Sequence, residues 1–148
     1  MTRYWEDFTA GEVIELGSYT IGRAEMLAFA ERYDPQPFHL DDAAAAAGPF
    51  GALAASGWLT AAVWMRLYAG NLLNHSASRG SAGIEELRWL RPVFPDVELR
   101  ARLTVPETRP SERRPDRGTI FLFGELLDPN GKAVMTLRGR GLIGRRPT

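Results

Sequence analysis

Between Gly57 and Leu73 the chain reads GWLTAAVWMRLYAGNLL, and Arg66 is its only charge. A helix that lies on a protein surface needs a polar face opposite its apolar one, and this segment has almost none. Such a helix must be wrapped on nearly every side, which requires a large concave apolar surface elsewhere in the chain. Residues 12–21, 82–92, 97–106, 118–128 and 133–143 read as strands, separated by breaks such as RPVFPD, RPSERRPDRG and DPNGK. The last break carries the Asn130-Gly131 pair of a tight hairpin. Together they predict an α+β fold of one domain over residues 1–148, an antiparallel sheet of about five strands wrapped around the long central helix. The half of the helix beyond the reach of the sheet still needs a cover. A second copy of the chain is the simplest one, so a homodimer or larger homo-oligomer is expected.

Between the first strand and the long helix, RAEMLAFAERY spaces Met26, Leu27, Phe29 and Ala30 as an amphipathic helix that stops before Asp34-Pro35. Further on, Asp41 or Asp42 can cap a short alanine helix ended by Gly48-Pro49. The stretch in between, YDPQPFHLD, holds one of only 2 histidines. Pro35 and Pro37 each fix φ, which limits how far Asp34 and His39 can splay apart. A carboxylate and an imidazole that face one water suit the addition of that water to a polarised double bond, or its removal. The same residues admit a plainer reading, in which Asp34-Pro35 only stops a helix and His39 packs as a loop histidine. Ser56-Gly57 likewise makes a good helix start without any chemistry.

Charge and composition remove several classes of function. Lys and Arg number 18 and Asp and Glu number 18, so the whole-molecule field offers no general attraction to nucleic acid or to an anionic membrane. Cysteine is absent, which excludes disulfides, thiolate nucleophiles and cysteine-ligated metals. The two histidines form no ligand cluster, so no metal is expected, and His75 reads as a solvated loop residue. The opening MTRYWEDFTAGEV has early acidic residues and no apolar run, as expected of a cytoplasmic chain. RGRGLIG has glycines at alternate positions but no following helix to make a dinucleotide loop, and Ser56 in ASGW is no nucleophile elbow. Arg109, Arg113, Arg114 and Arg117 suit the phosphates of coenzyme A, or equally a solvated hairpin loop.

YDPQPFHLD followed by FGALAASGW and LRPVFPDVELRARL resembles the MaoC-like dehydratases, the (R)-specific enoyl-CoA hydratase group of the hot-dog fold. Their motif runs D-x-N-P-x-H, and a glycine opens the central helix at a separation like that of His39 and Gly57 here. The resemblance implies that Asp34 and His39 form the catalytic pair and that the Gly57 backbone N–H holds the thioester oxygen. It implies Gln36, Phe38, Ser56 and Trp58 as substrate-binding residues, with an acyl-CoA thioester as substrate and no cofactor beyond that coenzyme A. Two positions depart from the family. Its asparagine is Gln36 here, one methylene longer, and a serine that in some members supports the aspartate from the central helix falls at Met65. A hot-dog thioesterase and a non-catalytic acyl-CoA-binding module are the alternatives. The first typically carries a carboxylate on the central helix, where residues 57–73 have none, and the second would have lost the pair.

Overall fold

The computed structural model describes residues Met1–Thr148. Strand β1 (Val13–Thr20) leads through helix α1 (Arg23–Tyr33) and two short helices, α2 (Pro37–Leu40) and α3 (Asp42–Ala46), to the long helix α4 (Gly57–Asn71). Strands β2 (Ile84–Trp89), β3 (Glu98–Thr104), β4 (Thr108–Pro110), β5 (Arg117–Leu127) and β6 (Ala133–Gly144) follow. The main sheet runs in the order β1-β3-β5-β6-β2, with β4 paired to β5, and every pairing is antiparallel. This is the hot-dog arrangement, a sheet curled around one helix.

The inward positions of β3 and β5 make the wrapping surface. Leu99, Ala101 and Leu103 alternate with exposed or half-buried neighbours, as do Ile120 and Leu122, so each strand turns one apolar row toward α4. Against them α4 buries Leu59, Thr60, Val63, Trp64, Leu67 and Tyr68. Two glycines admit the largest of these side chains. A Cβ on Gly124 would come within 2.5 Å of the Trp64 ring, and one on Gly141 within 3.3 Å of the Tyr68 hydroxyl. The opposite side of the helix is bare, with Trp58 58% and Met65 46% exposed. No helix is long and apolar enough to cross a membrane.

Three local features differ from the expected layout. The polar loop Arg109–Gly118 is partly ordered as β4, because Thr108, Arg109 and Pro110 pair with Ile120, Thr119 and Gly118. Strand β2 is shorter than the stretch 82–92, since Pro92 has no N–H for a ladder and the chain turns away after Trp89. The proline-rich stretch contains a helical turn, α2, in which Pro37 stands at the first helical position, where its fixed φ suits a helix and its missing N–H is no loss. Of the two possible caps, Asp41 is the one used: its Oδ2 accepts the Ala44 N–H at 2.8 Å, while Asp42 pairs with Arg23 at 2.8 Å.

Candidate active site

Asp34 terminates α1, and His39 stands in α2, five residues on. Because Pro37 starts a helical turn between them, the imidazole folds back toward the carboxylate. His39 Nε2 lies 3.4 Å from Asp34 Oδ2. The imidazole is 5% exposed and wedged by aromatic rings, with Phe38 4.7 Å and Phe50 6.1 Å from it between centroids. Its Nδ1 is 2.8 Å from the Ala54 carbonyl oxygen. A carbonyl can only accept, so Nδ1 carries the proton, and in the neutral ring Nε2 presents its lone pair toward Asp34. Two acceptors facing each other at this distance are suited to sharing the protons of one water.

Three groups converge on Asp34. Gln36 Nε2 donates to Oδ1 at 2.6 Å, Ser56 Oγ donates to Oδ2 at 2.7 Å, and His39 adds positive charge whenever it is protonated. Burial pushes the carboxyl up, but the two hydrogen bonds and the histidine charge outweigh it and hold Asp34 below the ordinary carboxylate value. The carboxylate is therefore ionised at neutral pH and able to accept a proton from water.

The support for Asp34 comes from a different place than the family pattern suggests. Met65 is on the exposed side of α4. The serine that holds the carboxylate is Ser56, fully buried at the N-cap of α4, where its Oγ also accepts the Trp58 N–H at 3.3 Å. With its hydroxyl engaged on both sides, Ser56 faces the carboxylate and is not among the residues that line the cavity. Phe38 is not among them either and packs on His39 and Phe50 instead. Gln36 does reach the cavity, but its amide doubles back onto Asp34.

The cavity itself, about 350 Å³, brings together Asp34, Gln36, His39, Gly57 and Trp58. Gly57 is the first residue of α4, and its N–H donates to no group of the chain. It lies at the positive end of a helix of 15 residues. Phe50, Thr60, Trp89, Leu90 and Arg91 line the same cavity and were not singled out from the sequence. Trp89, Leu90 and Arg91 reach it through the packing of the end of β2 against the start of α4, whereas Thr60 lies one turn along α4 from Gly57. His75 is exposed, and no group of three potential metal ligands exists.

The chain as a whole is similar to proteins of known family and structure. The model of the MaoC-like domain matches residues 7–119. A MaoC-like dehydratase of known structure from Rhodospirillum rubrum is 38% identical, with a TM-score of 0.90 over 98% of this chain and 99% of that one. An (R)-hydratase from A. caviae, involved in PHA biosynthesis, is 26% identical, with a TM-score of 0.70 over 95% of this chain and 99% of that one. Among curated proteins, the uncharacterized protein YdeM of Bacillus subtilis is 27% identical over 90% of this chain and 92% of its own length. The chain belongs to the MaoC-like domain family, which includes hydratases and dehydratases.

Proposed function

We propose that the protein adds water across the double bond of an α,β-unsaturated acyl-CoA thioester, or removes water from the corresponding 3-hydroxyacyl thioester. The observation that carries this reading is the convergence of Asp34, His39 and the unpartnered Gly57 N–H on one cavity. An enoyl thioester becomes electrophilic at C3 when its carbonyl oxygen is hydrogen-bonded, and the Gly57 N–H at the start of α4 suits the negative charge that then develops on that oxygen. A water between Asp34 and His39 Nε2 gives its oxygen to C3 and its proton to the pair. The resulting enolate takes a proton back at C2, so that H and OH have been added and the pair is restored. Coenzyme A enters as part of the substrate, and the chemistry requires no other cofactor.

Parallel assays on enoyl-CoA and saturated acyl-CoA thioesters test the reading, one following loss of the conjugated double bond and the other release of free thiol. Loss of conjugation without thiol release is expected. Asp34→Asn and His39→Gln should each lower that rate about 10²- to 10⁴-fold, the range for lost acid–base catalysis. Thiol release would point to a thioesterase, and neither signal to a binding module. The assembly proposed with this activity is a homodimer or larger, because the side of α4 that carries Trp58 and Met65 has no cover within one chain.

A further inference from the structure

Trp89, the last residue of β2, touches Gly57 in two ways. Its indole Nε1–H donates to the Gly57 carbonyl oxygen at 2.8 Å. Its ring also lies where a side chain at 57 would begin, so that a Cβ there would come within 2.5 Å of ring carbon. Trp58, the next residue, meets the same indole edge-on, with centroids 5.0 Å apart and planes at 81°. Trp89 and Gly57 both line the cavity that holds Asp34 and His39.

The contact matters because of where Gly57 stands. The first residue of a helix has an N–H with no intrahelical partner, and a glycine there has no Cβ to restrict its φ and ψ. The direction of that N–H relative to the helix follows the Ser56–Gly57 peptide plane, whose carbonyl accepts the Leu59 and Thr60 N–H groups at 3.0 and 3.1 Å, so what sets it relative to the cavity is where the first turn of α4 is seated. The indole ties that first turn to the end of β2: its hydrogen bond holds the Gly57 carbonyl, and its ring packs against one side of Cα. We infer that Trp89 is a positioning residue, which seats the first turn of α4, and with it the Gly57 N–H, at the cavity and makes glycine obligatory at position 57. Only the kinetic consequence of this clamp rests on the proposed hydration; the clamp itself is a property of the fold.

The test uses the full chain, ¹⁵N-labelled, as wild type, Trp89→Phe and Trp89→Leu. The phenylalanine variant keeps a ring but loses the donor, and the leucine variant loses both. The ¹⁵N order parameter of the Gly57 amide should be near 0.85 in the wild type and fall toward about 0.6 in the leucine variant, with phenylalanine between them. On an enoyl-CoA substrate, kcat should drop about tenfold in the leucine variant with KM changed less than about twofold, because the N–H acts on charge that builds only in the transition state. An order parameter unchanged in both variants overturns the clamp. A lowered order parameter with unchanged kcat, or a rise in KM alone, overturns its role in positioning. If the wild type hydrates no enoyl thioester, the proposed function fails, and the order parameter alone decides the clamp.

Discussion

Ser56 Oγ donates to Asp34 Oδ2 at 2.7 Å and accepts the Trp58 N–H at 3.3 Å, so one buried hydroxyl ties the acidic residue to the first turn of the central helix. Residues 22 positions apart in sequence thereby share a single anchor. Ser56→Ala removes a helix cap and leaves a partly buried carboxylate with one donor fewer. The expected loss is about 1–3 kcal/mol of unfolding free energy, read from urea titrations. A change below about 0.5 kcal/mol would show that the hydroxyl contributes no more than an ordinary surface contact.

The low position of the Asp34 carboxyl has a definite pH signature. A group whose folded value is depressed adds stability that is fully present above its unfolded value and is lost as pH falls through the folded one. The Asp34 carboxylate should accordingly stay ionised into acid below the ordinary aspartate range. Gln36→Leu removes one of the two hydrogen bonds that lower it, so the Asp34 carboxyl, followed by ¹³C NMR, should titrate at higher pH than in the wild type. A carboxyl titration that stays in place in Gln36→Leu would mean that the amide does not act on Asp34.

Packing between α4 and the sheet depends on the absence of a side chain at Gly124. Gly124→Ala places a Cβ 2.5 Å from the Trp64 ring and 2.9 Å from Leu137 Cγ, and should cost about 1–3 kcal/mol. Adding Trp64→Phe should make the two costs non-additive, because the smaller ring leaves room for the methyl. Strict additivity in thermal or urea unfolding would contradict the contact.

The bare side of the helix predicts assembly. Trp58, Met65, Ile84, Trp89 and Leu90 are all exposed on one chain, more large apolar surface than a monomer comfortably presents to water. Sedimentation at micromolar concentration should give at least a dimer, and Met65→Glu should shift it toward monomer. A well-behaved wild-type monomer would overturn the burial argument.

The sequence by itself determined the helix and the sheet that must wrap it, because a segment with one charge between Gly57 and Leu73 can be stable only inside a concave apolar surface. The two prolines limited how far Asp34 and His39 could splay apart, and the resemblance to a known family paired them; the helical turn that brings them within 3.4 Å came from the tertiary structure. The wrapped helix and the limit set by the prolines are local consequences of composition and spacing. The hydroxyl that supports Asp34 was not legible in the same way, because Ser56 looks like a helix cap and serves as one. Its second bond exists only once α1 and α4 are packed together. Trp89 reads as an ordinary strand residue, and its hydrogen bond to Gly57 spans 32 positions. Which side chains meet across such separations is decided by the register of β2 on β6 and by how deeply α4 lies in the sheet. Those distances are set by the packing of the whole core, to which no short stretch of sequence refers.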